Sequence, residues 1–260
     1  MELGLNGKSA LITGAGGGIG RCTARLLAAE GARLTLTDKD DETLAEVSKE
    51  LDATCVAADL SSTKGAETLI GKVGHDFDIF VHAAGVTGAK GDPIKMSDED
   101  WDHAWHTDFM SAVRLTRLVA PGMISRGWGR MVFVTSENAA QPYPDETVYN
   151  VAKTGLLSFA KSVAMAHSGK GLLVNCVAPA FIETPMTDYM MDTKAEAEGT
   201  SRDEAIEGFL ESDRPYLALK RRGKPEEVAP AIALLCSERA SFVTGSNWRV
   251  DGGSVGSIQL

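Results

Sequence analysis

Ser9-Ala10-Leu11-Ile12-Thr13-Gly14-Ala15-Gly16-Gly17-Gly18-Ile19-Gly20 is an apolar run that breaks straight into glycine, and Ala24, Leu27 and Ala28 follow it on one helical face. This pattern reads as a strand, a tight turn and the start of a helix. Glycine serves such a turn by adopting backbone angles closed to other residues. It also lets the backbone approach a pyrophosphate and lets the helix pack closely on its strand. The free N–H groups and positive end of the helix then face phosphate. Gly14, Gly16, Gly18, Ile19 and Gly20 are thus the candidate dinucleotide cradle. A P-loop does not fit, because no Gly-Lys-Ser/Thr closes the run.

Further along the chain, short apolar runs alternate with segments of helical period. Strands are expected at 8–13, 33–37, 53–57, 78–82, 130–135, 172–177 and 247–250, and helices at 18–30, 41–51, 63–73, 98–126, 147–167 and 225–236. The strands lack polar alternation, as strands covered on both faces do. The reading is α/β: a Rossmann-like doubly wound parallel sheet of about seven strands, with helices on both faces. No linker divides the chain, so residues 1–260 form one domain. Residues 184–214 break the rhythm after a strand's carboxyl end, which is where ligands bind in such sheets. They are read as a substrate lid rather than plain surface helices.

The second strand ends at Asp38, eighteen residues after Gly20. A carboxylate there accepts the adenosine ribose hydroxyls and repels a 2′-phosphate, so NAD is expected over NADP. Lys39 dissents as a cation suited to phosphate, and Asp38 could also cap helix 41–51. Asp59, with Leu60 beside it, is placed to meet the adenine or to cap a turn. Ala83-Ala84-Gly85 leave room beside a cofactor. Tyr149 and Lys153 stand four apart on a helix, so they share a face. A free tyrosine has a pKa near 10, and an adjacent ammonium lowers it toward use as an acid/base. Ser136 ends the strand thirteen residues before Tyr149 and could hold a substrate oxygen.

These motifs, with Asn175–Pro179, Thr184 and the closing Arg249-Val250-Asp251-Gly252-Gly253, resemble the short-chain dehydrogenase/reductase family in its single-domain form, over essentially the whole chain. The resemblance implies hydride transfer between a nicotinamide and a secondary alcohol/ketone pair. Tyr149 would be the acid/base, Lys153 would hold its pKa down and bind the ribose, and Ser136 would position the substrate oxygen. Residues 177–184, with Pro179, Ile182 and Thr184, would bracket the nicotinamide. A homotetramer built on helices 98–126 and 147–167 is also implied, a homodimer being the smaller alternative. Three positions depart from the family pattern. His82 stands for an asparagine that braces the sheet. Asp108 stands for an asparagine that holds a water relaying protons to Lys153. Pro179 is followed by Ala180 rather than glycine. His82 and Asp108 motivate the alternative of a catalytically weak cofactor-binding subunit or sensor. An epimerase or dehydratase would need a substrate domain for which the chain has no room.

The net charge of −10 argues against nucleic acid and anionic membranes as partners. The basic cluster Lys220, Arg221, Arg222 and Lys224 reads as a solvated turn. No apolar run is long enough to span a bilayer, and the N-terminus reads as a strand rather than a secretory leader, which places the protein in the cytoplasm. Cys22, Cys55, Cys176 and Cys236 are expected to be free, buried and unreactive. His103 and His106 lack a third ligand, so no metal is expected. Tyr143, Phe181, Met186, Tyr189 and Met190 are candidate pocket residues, suggesting a medium-sized, partly apolar substrate such as a cyclic, steroid-like or aromatic compound.

Overall fold

The computed structural model describes residues 2–258. Its sheet is built from β1 (Ser9–Thr13), β2 (Arg33–Asp38), β3 (Ala53–Ala57), β4 (Ile79–His82), β5 (Gly129–Val134), β6 (Leu172–Pro179) and β7 (Asn247–Val250). The seven strands run in the order β3-β2-β1-β4-β5-β6-β7, and every neighbouring pair is parallel. The chain works outward from β1 to β3, then crosses back to place β4 on the other side of β1. That reversal opens a crevice at the carboxyl ends of β1 and β4, where Gly14 faces Ala83 and Ala84.

Both faces of the sheet are covered. One apolar core joins Ile12, Leu36, Val81 and Val132 to α1 (Gly18–Ala29), α2 (Asp41–Glu50) and α9 (Pro225–Cys236). The other joins Leu11, Phe80 and Phe133 to α3 (Thr63–Val73), α5 (Ser111–Arg126) and α6 (Thr147–His167). Strands buried on both faces explain the missing polar alternation.

The helix expected over 98–126 is not continuous. It runs as α4 (Asp98–Ala104), one π-helical turn (Trp105–Met110) and α5. The wide turn carries the fully buried Asp108, and such turns concentrate at functional sites.

Residues 185–212 fold as α7 (Pro185–Glu198) and α8 (Arg202–Ser212). They enclose a third core of Phe181, Met191, Phe209, Leu210 and Leu217. Arg222 ties the start of α7 to the body of the protein, with Nη1 2.7 Å from Asp188 Oδ1. The basic turn is therefore only partly solvated: the Arg222 side chain is 9% exposed, while Arg221 pairs outside with Glu227. Among the described residues no helix is long and apolar enough to cross a membrane.

Candidate active site

The crevice divides into a cofactor groove and a substrate-side cavity. The groove begins at the glycine turn. Gly14 has φ +65°, and a Cβ there would lie 2.7 Å from Ala83 C. A Cβ on Gly20 would lie within 2.8 Å of Gly14 C, and one on Gly18 would lie 2.8 Å from Thr184 Cγ2 across the groove. No side chain caps the first turn of α1, and that turn carries no acid, so its N–H groups stay free for phosphate oxygens. This cradle fits a dinucleotide.

At the adenosine end, Asp38 Oδ2 accepts the Gly16 N–H at 3.0 Å, and its Oδ1 accepts the Lys39 N–H at 2.7 Å. Gly16 does not line the groove but holds this carboxylate. Asp38 does not cap α2; Asp40 does. Lys39, Asp59, Leu60, Ala83, Ala84 and Gly85 line this end, and sequence reading missed Gly17, Ala58 and Thr107 beside them. Asp59 also caps a turn through the Ser61 N–H, one of the two roles expected of it. At the other end Ile19, Pro179, Ile182, Thr184 and Met186 line the wall facing Ser136, Tyr149 and Lys153.

Tyr149 and Lys153 share one face of α6, with Lys153 Nζ 5.4 Å from the phenol ring centre. Lys153 donates to Val134 O at 3.2 Å and pairs with Asp108 Oδ1 at 3.4 Å. That oxygen also accepts the Val86 N–H, while Asp108 Oδ2 has no hydrogen-bond partner. Gly85 permits the arrangement, since a Cβ there would lie 2.4 Å from Asp108 Oδ1. Burial pushes the Asp108 carboxyl above its ordinary range, and Lys153 only partly offsets this. Burial works to lower the Lys153 pKa, but Tyr149 and Asp108 outweigh it and hold it up. Lys153 draws the Tyr149 pKa down, as expected, but burial foremost and the Asp108 charge outweigh it and leave the phenol raised.

Ser136 is held from behind. Its hydroxyl donates to Asn138 Oδ1 at 2.9 Å, and Asn138 Nδ2 donates to Glu146 Oε2 at 2.7 Å and Asn150 Oδ1 at 2.8 Å. Glu146 also accepts from Arg214 Nη2 and from Lys90 Nζ, the latter at 2.7 Å. Burial alone would raise the Glu146 pKa, but Arg214 and Lys90 hold it below the usual carboxylate range. Arg214 Nε also lies 3.2 Å from Glu137 Oε1. Thus Glu137, Glu146, Lys90 and Arg214 form an ion cluster behind Ser136 that sequence reading missed. Its members come from separate loops, and no local spacing announces it.

His82 braces the sheet as the family asparagine would. The Ala84 N–H donates to Thr13 Oγ1, which lies 2.9 Å from His82 Nδ1; His82 Nε2 lies 3.2 Å from Ser111 Oγ, which donates to Thr107 O. Each hydroxyl has one proton to give, so the chain assigns the neutral ring with its proton on Nε2. Burial pushes the His82 pKa down to about 3.

The substrate-side cavity is lined by Ser136, Tyr149, Phe181, Met186 and Met190, with Glu137, Glu146 and Arg214. Two expected members are corrected. Tyr189 is 75% exposed, because α7 buries the face of Met191 and Ala195, about 200° around the helix from it. Tyr143 stacks under Arg214, 3.5 Å from its guanidinium, and supports the cavity wall instead of lining it. The cysteine expectation holds for Cys176 and Cys236, which are buried with thiols pushed up to about 12, but Cys22 and Cys55 are only half-buried.

The family model described as enoyl-(acyl carrier protein) reductase matches residues 14–255. The chain is 36% identical over 254 residues to nodulation protein G of Rhizobium sp. (strain N33), covering 96% of this chain and 97% of that protein. It is 35% identical over 260 residues to the 3-oxoacyl-[acyl-carrier-protein] reductase FabG of Thermotoga maritima, covering 96% of this chain and 99% of that protein. The structure of L-sorbose reductase from Gluconobacter frateurii complexed with NADPH and L-sorbose superposes with a TM-score of 0.93 at 32% identity, covering 99% of this chain and all of that one. This agreement along nearly the full length, in sequence and in fold, makes the chain a member of the short-chain dehydrogenase/reductase family of oxidoreductases.

Proposed function

We propose that the protein is an NAD(H)-dependent oxidoreductase that interconverts a ketone and a secondary alcohol, with Tyr149 as the acid/base. The observation that carries this reading is the convergence of Ser136, Tyr149 and Lys153 on the cofactor groove, with Ser136 and Tyr149 also lining the substrate-side cavity. The glycine turn and the first turn of α1 would hold the pyrophosphate, Asp38 the adenosine ribose, and Lys153 the nicotinamide ribose. When bound there, the nicotinamide supplies the hydride in reduction and takes it in oxidation. In reduction the Tyr149 hydroxyl gives its proton to the carbonyl oxygen, and its raised pKa keeps that proton in place until it is needed. Ser136 holds the same oxygen, its own orientation fixed by Asn138. Lys153 stabilises the phenolate left behind. In oxidation the proton moves back from the alcohol to Tyr149.

Preference for NAD rests on Asp38, fixed by two backbone N–H groups where a 2′-phosphate would have to lie. Residues 184–214 would close over the substrate as a lid, anchored by Arg222 and Arg214. A homotetramer, or at least a homodimer, is supported by half-exposed Trp105 and Val151 and exposed Met165 on the outer faces of the π turn and α6. The test is a titration with NADH and NADPH, followed by reduction of a mixed ketone panel by wild type and Tyr149→Phe. Tighter NADH binding, with turnover lost in the variant and binding kept, is the expected result. Unchanged turnover in Tyr149→Phe refutes the assignment, and binding without turnover of any ketone favours a cofactor-binding subunit.

A further inference from the structure

The cavity beside Ser136 and Tyr149 is not the apolar slot that its methionines and phenylalanine suggest. Its lining carries two carboxylates, Glu137 and Glu146, and the cation Arg214, while Lys90, outside the lining, pairs with Glu146. Their charges cancel. Every acceptor position of Glu146 is taken by Lys90, Arg214 or Asn138, and Arg214 is clamped between the rings of Tyr143 and Phe209. Neither cation is spare for an anionic substrate. Residues 184–214, of which Met186, Thr187, Met190 and Arg214 line the cavity, carry six more acidic than basic side chains, a field that repels anions further.

One group stands apart. Glu137 lines this cavity, is 1% exposed, and its Oε2 has no partner in hydrogen-bond geometry, the nearby Ser254 and Tyr143 hydroxyls only drawing on the carboxyl from the side of the wall. A buried acceptor left unpaired costs free energy that a donor brought by the substrate recovers. Thr87 adds a hydroxyl to the same lining. An unpaired acceptor and a hydroxyl, with no surplus charge, match groups that give and take hydrogen bonds alike. Those groups are hydroxyls.

We propose that this cavity takes a small, neutral, polyhydroxylated ketone, or the matching polyol in oxidation, and that Glu137 reads its hydroxyls. The proposal rests on the hydride-transfer reading of the same site. The reaction balances as before: hydride to the carbonyl carbon and the Tyr149 proton to its oxygen, yielding the polyol and oxidised cofactor.

The test compares kcat/KM for an unphosphorylated C5 or C6 ketose, its polyol, a ketose phosphate, a 3-oxoacyl thioester and an alkyl-substituted cyclohexanone. The expected result is a preference for the ketose over the cyclohexanone of at least about 100-fold, as sites built to hydrogen-bond a hydroxyl discriminate strongly. Glu137→Gln should lower the ketose-to-cyclohexanone ratio by roughly tenfold or more, mainly through KM. A wild-type preference for the cyclohexanone, the thioester or the phosphorylated ketose overturns the proposal while leaving hydride transfer intact. Failure of every compound to turn over, with cofactor bound, overturns the hydride-transfer reading itself. The wild-type panel decides even if Glu137→Gln does not fold. If Glu137→Gln folds and leaves the ratio unchanged, Glu137 is not the reader.

Discussion

Glu146→Gln is the substitution most exposed to refutation. Glu146 is 5% exposed and accepts from Arg214, Lys90 and Asn138. Glutamine keeps the shape but removes the charge, and its amide N–H groups would face donors. Arg214, 7% exposed, would keep Glu137 as its one carboxylate, and Lys90 would lose its own. Breaking a buried pair by removing one partner costs about 3–5 kcal/mol. Taking about 3 kcal/mol and roughly 2–4 °C per kcal/mol, the melting temperature should fall by roughly 6–12 °C. Asn138 would lose one of the two acceptors on its amide nitrogen, and Ser136 its fixed orientation, so kcat/KM should fall about 10- to 100-fold. Urea denaturation and steady-state rates measure both effects. Arg214→Met in the Glu146→Gln background removes the uncompensated cation, so the double variant should be less destabilised than the sum of the singles. Strict additivity, or a loss under about 1 kcal/mol for Glu146→Gln alone, would show that the cluster does not hold the site together.

The lowered Glu146 pKa means that its stabilisation is present above the unfolded carboxyl pKa and is lost as pH falls through the folded value, so wild type and Glu146→Gln should converge in acid melts. Asp108→Asn removes a charge that raises the Tyr149 pKa, so the rising limb of alcohol oxidation should move to lower pH; an unmoved limb would uncouple Asp108 from Tyr149. Gly18→Ala puts a methyl against Thr184 and Pro225 across the groove, and should weaken cofactor binding roughly tenfold by fluorescence titration with a melting temperature near wild type. Phe209→Ala opens a hole in the core under α7 and α8 and should cost about 3–5 kcal/mol in urea denaturation.

The cofactor half of the site was legible because its signals are local. A strand, a glycine turn and a helix lie within Ser9–Ala29, and Tyr149 and Lys153 are paired by helical period alone. The sheet was legible because its strands are buried on both faces. The rest is long-range. Glu146 and Arg214 meet across 68 residues, and Glu146 reads in sequence as one more charge in a loop. The π turn was hidden because Trp105–Met110 keep a helical pattern while the backbone widens by one residue. Tyr189 misled because an aromatic beside methionines looks like a pocket wall, whereas the register of α7 is fixed by Met191. Tyr143 misled for a different reason: its ring is occupied by a cation from the far end of the lid segment.

The Thr13–His82–Ser111 chain gives the crevice a seam whose strength is insensitive to its surroundings. It stitches β1 to β4 and to α5 with neutral groups only, and His82 does not titrate near neutrality. Added salt cannot screen it, and a change from mildly acidic to mildly alkaline medium leaves its proton inventory fixed. The parting strand ends that frame the cofactor groove are thus joined by a link with one permanent polarity, and responses of the enzyme to pH or ionic strength arise elsewhere, at Asp108, Tyr149 and Lys153 and in the ion cluster around Glu146.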